Sequence, residues 1–260
     1  MSNVLEVRDL SVRFGGVQAL DGVNIEVAEN QLVGLIGPNG AGKTTLIDAI
    51  TGFVTATGSV SIDDVDLAGK PAHQRARAGL GRTWQASELF DDLTVRENLA
   101  AASRRPSAWA LLKETLTGGR DATEEIIQQA LDLVEIGWTA DLMPDELTMG
   151  QKKLVGVARA IVMQPRLLLL DEPAAGLDSH ESLELGKHLR TLVDGGTSML
   201  LIDHDMGLVL SICDYIFVLE FGKIIAFGTP DEVRTDPKVV EAYLGGAASE
   251  LEDAATGESH

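Results

Sequence analysis

The stretch GPNGAGKTT, residues 37–45, sets Gly37, Gly42, Lys43 and Thr44 at the Gly-x-x-x-x-Gly-Lys-Ser/Thr spacing. Glycines let such a loop wrap its backbone N–H groups around phosphates, while Lys43 reaches the terminal ones and the Thr44 hydroxyl ligates Mg²⁺. An apolar run, LVGLIG, precedes the loop and a helical run, TTLIDAITG, follows it, which is the context this chemistry requires. A glycine-rich turn with a chance lysine is the alternative. Such a match arises by chance in a chain this long on the order of a per cent of the time, before strand and helix are demanded.

A second group stands in LLLLDEP, where Asp171 and Glu172 leave a continuous apolar run. At a strand exit one carboxylate can hold Mg²⁺ through water and another can polarise an attacking water. Alone, the pair reads as two solvated acids; the loop upstream makes the catalytic reading the stronger one. Gln85 ends the strand-like GRTWQ, His204 follows the apolar LLID, and Phe14 lies in VRFGG. Each has an ordinary structural reading, as an exposed amide, a structural histidine or an edge aromatic, and only their order along the chain argues for more. In ELTMGQKKLVGVARAIV, a Gly150-Gln151 corner opens a helix whose first N–H groups suit an anion. Met149 there is large where close backbone approach favours glycine.

The elements that must position these residues follow from periodicity. Val4–Gly15 and Val23–Val27 alternate as strands, SVSIDDVDL reads as another, and LVGLIG, LLLLD and MLLID are continuous, as in a sheet covered on both faces. YIFVLEFGKIIAFG predicts a hairpin turning near Phe221-Gly222, and TPDEV a capped helix start at Thr229. From about 86 to 164 the pattern turns helical. It has a capping box at Thr94–Glu97 and an apolar stripe of Ile126, Ile127, Ala130, Leu131 and Val134. The reading is an α/β core with an inserted helical lobe, spanning residues 1–246. Residues 247–260 form an acidic solvated tail carrying Glu250, Glu252, Asp253 and Glu258.

Composition narrows the function classes. At 260 residues the chain suits one sizeable domain. A formal charge of −19 repels nucleic acid and anionic lipid, yet leaves room for a nucleotide held by backbone dipoles, one lysine and Mg²⁺. No run approaches the ~20 apolar residues of a membrane span, and MSNVLEVRDL is no signal peptide. The one cysteine, Cys213, excludes a disulfide framework. These features predict a cytosolic protein.

Taken in order, the motifs resemble those of the nucleotide-binding subunits of ATP-binding cassette (ABC) transporters, over about residues 4–245. The resemblance implies a P-loop NTPase (RecA-like) α/β core, an antiparallel β subdomain and an inserted α-helical signature lobe. It makes Phe14 the aromatic stacked on adenine and Gly37, Asn39, Gly40, Ala41, Gly42, Lys43, Thr44 and Thr45 the phosphate loop. Gln85 becomes the hinge glutamine that senses γ-phosphate and Mg²⁺, and Asp171 the Mg²⁺-site aspartate. Glu172 becomes the base that orients water, and His204 the switch histidine. Asp178 belongs to a loop crossing to a second subunit. Thr148, Gly150 and Gln151 belong to the signature, which meets ATP carried by that subunit. Met149 departs from the usual Leu-Ser-Gly-Gly-Gln, which bears on the hydrolysis rate.

Segments such as GRTWQASELFDDLTVRENL, DEPAAGLD and AYLG look like the ATPases of branched-chain amino acid-type importers. Urea or amide importers and lipopolysaccharide-export ATPases share much of this. The resemblance implies ATP and Mg²⁺ as ligands, and as partners a transmembrane permease, a second cassette and a solute-binding protein. The permease is expected beside the hinge, near Leu89 and Phe90, holding the chain on the cytoplasmic face of the membrane. A P-loop kinase would have no use for the signature. A DNA-repair or translation-factor cassette would show tandem cassettes or basic patches. A regulatory cassette would lack Glu172 or His204.

Overall fold

The computed structural model describes residues 2–83, 89–103 and 122–243. Gln85 and the acidic tail lie outside them. Strand β3 (Leu32–Ile36) is buried at every residue. Its side chains alternate between two cores, Val33 and Leu35 in one and Leu32 and Ile36 in the other. Strands β7 (Leu167–Asp171) and β8 (Ser198–Ile202) do the same. This is why three short runs without polar alternation are strands: each residue has an apolar partner on its own face.

The central sheet has six strands in the order β10 (Lys223–Gly228), β9 (Tyr215–Glu220), β3, β8, β7 and β6 (Leu80–Arg82). Neighbours are parallel except β9 and β10, the expected hairpin. A second, antiparallel sheet runs β2 (Val17–Ala28), β1 (Asn3–Phe14), β4 (Thr57–Ile62) and β5 (Val65–Asp66). Its apolar side, helix α1 (Lys43–Thr51) and one face of the central sheet close the first core.

The second core lies on the other face. It joins α3 (Val95–Ala102), α4 (Ala122–Leu133) and α5 (Met149–Ile161) to α6 (Ser179–Asp194) and α7 (Met206–Ile212). Two short helices, α2 (Ala72–Arg77) and α8 (Pro230–Thr235), complete the regular elements used below. The α/β class, the P-loop core and the antiparallel subdomain agree with the sequence reading. No helix among the described residues is long and apolar enough to cross a membrane.

Three local expectations change. SVSIDDVDL is not one strand: Asp63, at φ 48°, turns it into the β4–β5 hairpin, with Ile62 opposite Val65. Aspartate tolerates that left-handed conformation better than most residues. Strand β2 starts at Val17 rather than Val23, because the pairing Phe14 to Val17 continues across Gly15-Gly16, with irregular register further along. Helix α5 opens at Met149, not Gly150. The Thr148 hydroxyl accepts the Gln151 N–H at 3.2 Å while Gln151 Oε1 accepts the Thr148 N–H at 2.8 Å, a capping box.

Candidate active site

The phosphate loop leaves β3 at the carboxyl edge of the parallel strands, where such sheets place ligands. At Gly37 an added Cβ would lie 2.0 Å from the Leu219 carbonyl oxygen, so no side chain fits. Gly40 has φ 78° and nothing within 4 Å of an added Cβ, so this glycine is required by backbone conformation and the loop is open on that side. The turn between β9 and β10 props the loop from outside, with the Gly222 N–H donating to Ala41 O at 2.9 Å. Near the chain end, burial pushes the Tyr243 hydroxyl up to about 12, against an opposing hydrogen bond from the Gly37 backbone.

Lys43 opens α1 and is 8% exposed. Its Nζ donates to Gly37 O at 2.6 Å and Pro38 O at 3.0 Å, which holds the ammonium inside the loop. Burial pushes its pKa below the ordinary lysine range, and the charge of Glu172 pulls the other way. An anion seated in the loop would act in the same sense as Glu172. Thr44 is exposed on the first turn, Thr45 half-buried beside it, and Asn39 exposed on the loop.

Asp171 ends β7 and is buried, its N–H donating to Thr83 Oγ1 at 3.3 Å. Its Oδ2 is 2.9 Å from Arg82 Nη2, a contact between residues 89 apart in sequence. Glu172 follows in a left-handed conformation, φ 48°, with its N–H donating to Ile202 O at 2.7 Å. That bond ties the end of β7 to the end of β8 and brings His204 near: His204 Nδ1 stands 3.9 Å from Glu172 Oε2 and 3.6 Å from Asp203 Oδ1. The His204 side chain is largely exposed, and the Glu172 carboxylate only partly so.

Asp203 organises these loops and has no motif of its own. Fully buried, it accepts the Ala174 N–H at 3.0 Å and the Asp205 N–H at 3.0 Å, joining the chain after Glu172 to the chain after His204. Asp205 in turn accepts from the Ser182 hydroxyl at 2.7 Å. Burial works against its charge, but this bond and those from Leu208 and Gly207 hold its carboxyl below the usual range. Lys153, buried in α5, lies close enough to Asp203 and Glu172 for both charges to raise its pKa, though burial dominates and lowers it. A lysine at the fifth position of an amphipathic helix gave no sequence signal for this.

The tip of α5 is separate from the loop residues. The Thr148 hydroxyl takes the Gln151 N–H and the Thr148 carbonyl takes the Lys152 N–H. Among the described residues this leaves the N–H groups of Met149 and Gly150 for an external acceptor. Gly150 faces the start of α6, where an added Cβ would lie 3.7 Å from Glu181 Oε1. Asp178 caps that helix, its Oδ1 accepting the His180 and Glu181 N–H groups, each at 2.8 Å. Phe14 ends β1 opposite Val17 with its ring about half exposed, and further along β2 the Ala19 carbonyl oxygen would be 2.9 Å from a Cβ at Gly42.

Asp171, Glu172 and His204 thus gather at the ends of β7 and β8, with Lys43 at the start of α1 within reach of the Glu172 charge, while Thr148–Gln151 and Asp178 lie at the starts of α5 and α6. A cavity of about 760 Å³ lies on the far side of Arg82, lined by Phe53, His73, Thr83, Leu89, Phe90 and Arg159 among others.

Comparison with known proteins places the chain in a family. The ABC transporter family model matches residues 20–175, and that for the branched-chain amino acid ATP-binding cassette transporter matches residues 223–249. The high-affinity branched-chain amino acid transport ATP-binding protein BraF of Pseudomonas aeruginosa is 41% identical over 251 residues, covering 94% of this chain and 98% of its own. LivG of Escherichia coli K12 gives the same figures, and the probable LivG of Archaeoglobus fulgidus is 37% identical over 258 residues, with 96% and 98% covered. The crystal structure of the ADP conformation of MJ1267, an ATP-binding cassette of an ABC transporter, superposes with a TM-score of 0.81 at 32% identity, covering 94% of this chain and all of that one. With loop, strand ends and sheet order arranged as described, the chain belongs to the ABC transporter family and is one of its ATP-hydrolysing, nucleotide-binding subunits.

Proposed function

We propose that this subunit powers uptake of a small polar solute, with branched-chain amino acids first among the candidates, by hydrolysing Mg²⁺-ATP at the site around Lys43. The observation that supports this chemistry is the place of Glu172 between two groups: its charge acts on Lys43 at the start of α1, and its Oε2 lies 3.9 Å from His204 Nδ1. The residues fit both ligands: an open glycine-rich loop with a buried ammonium suits a triphosphate. An exposed threonine on the first turn of α1 and a buried carboxylate at the end of β7 supply oxygen donors of the kind that suit a cation keeping most of its waters. No cluster of three or more His, Cys, Asp or Glu side chains that could hold a metal occurs among the described residues, and a cation shared with phosphates needs none.

Thr44 and Asp171, with Gln85, would hold Mg²⁺, which when bound neutralises charge between the β- and γ-phosphates. Glu172 orients and deprotonates the attacking water, and His204 and Lys43 stabilise charge on the transferred phosphoryl group. Phe14 stacks on the base. Thr148, Gly150, Gln151 and Asp178 belong to the interface with a second cassette, each cassette completing the other's site. The cavity lined by Leu89 and Phe90 receives the permease, which holds the subunit at the cytoplasmic face of the membrane. The assignment of solute rests on the match at residues 223–249 and on the relatives' names.

Glu172→Gln tests the site. It should keep nucleotide affinity and lower phosphate release by roughly 10²–10⁴-fold, the scale of a lost general base. Near-normal turnover would remove Glu172 from that role. For the solute, the complex with its permease should be stimulated by a leucine-loaded binding protein and not by one loaded with urea.

A further inference from the structure

Asp171 is not a bare anion at the end of β7. Arg82 Nη2 lies 2.9 Å from its Oδ2, while Arg82 Nη1 lies 2.6 Å from Asp48 Oδ1 and 3.3 Å from Thr51 Oγ1. The Arg82 and Asp171 side chains are 8% and 7% exposed, so water and salt screen the pair little. Asp48 stands on α1 four residues after Thr44, on the same face of the helix. The guanidinium therefore has one partner at the metal site and others it can keep if the first is withdrawn. On its other side it lies 5.9 Å from the Phe53 ring, and both Arg82 and Phe53 line the 760 Å³ cavity.

We propose that Arg82 is a positioning residue that serves as the exchangeable counter-ion of Asp171. It neutralises the carboxylate until Mg²⁺ arrives with nucleotide, then rests on Asp48 and Thr51, so that one guanidinium joins the metal site to the cavity wall. The inference rests on the assignment of Asp171 to Mg²⁺. Charge counting gives its direction. Asp48, Arg82 and Asp171 together carry one negative charge. Neutralising Arg82 makes the group more attractive to a dication. Neutralising Asp48 leaves Arg82 with Asp171 as its one charged partner in the trio, which the metal must then displace.

The test is a Mg²⁺ titration of the purified full chain with a fluorescent ATP analogue, beside the same measurement in EDTA. Affinity in EDTA should stay within about twofold in every variant, since the loop is untouched. The half-saturating Mg²⁺ concentration should fall about three- to tenfold in Arg82→Gln, stay close to the parent in Arg82→Lys, and rise several-fold in Asp48→Asn. A purely structural role would not produce shifts of opposite sign. Equal or same-direction shifts in Arg82→Gln and Asp48→Asn overturn the exchange. If Arg82→Gln does not fold, an unchanged or lower half-saturation in Asp48→Asn overturns it alone. A parent affinity that ignores Mg²⁺ removes the assignment of Asp171, and the exchange with it.

Discussion

Lys43 sits under two opposed demands: burial disfavours its charge, and the task proposed for it is to meet an anion. The carbonyls of Gly37 and Pro38 reconcile them by holding the ammonium in place before nucleotide enters. Lys43→Ala should therefore lower Mg²⁺-ATP affinity by about a hundredfold or more, and Lys43→Arg should not restore it, because a planar guanidinium does not fit a point-charge site. His204→Ala should leave affinity within about twofold and slow hydrolysis, since its side chain is exposed beside Glu172 rather than inside the loop. Equilibrium binding and phosphate release, run side by side, separate the two. Residues of this kind were legible in the sequence where a motif gathers them in a few positions, as in GPNGAGKTT and LLLLDEP. Arg82, Asp48, Asp203 and Lys153 were not: each acts through a partner far along the chain, and nothing local marks an arginine that pairs with a carboxylate 89 residues away.

At the scale of elements, the opening of α5 is the part most at odds with a simple reading. A glycine corner suggests a tip with several unpaired donors, but the capping box uses two and leaves those of Met149 and Gly150. Loss of the Thr148 cap costs about 1 kcal/mol. On the reading proposed above the acceptor comes from a second cassette, so Gly150→Asp should weaken ATP-driven dimerisation several-fold or more, most visibly on the Glu172→Gln background. Light scattering with and without ATP reads this, and an unchanged dimer would mean that α5 meets no phosphate. ATP binding by the single chain should scarcely move. Strands were legible where apolar runs were unbroken. The β4–β5 turn was missed because Asp63-Asp64 carries neither Gly nor Pro, and the early start of β2 because VQALDG does not alternate cleanly.

For the whole molecule, the shift from strand-like to helical periodicity was enough to separate the helical insertion from the core, but periodicity carries no information on what its surface meets. Phe90 is half exposed with the Arg159 guanidinium 5.7 Å from its ring centre, at the rim of the 760 Å³ cavity. Phe90→Glu should leave ATP hydrolysis by the isolated chain within about twofold, yet reduce the fraction that sediments with permease-containing membranes. Equal recovery in the membrane pellet would place the docking surface elsewhere. The central sheet has a further consequence. Since β3, β7 and β8 give alternate side chains to the two cores, neither core can melt without stripping one face of the strands that the other needs. The helical side shares its core with one face of the sheet, so it cannot come apart on its own. Heat should accordingly be absorbed in a single calorimetric peak, with van't Hoff and measured enthalpies equal, despite a chain long enough to have divided into two cooperative units.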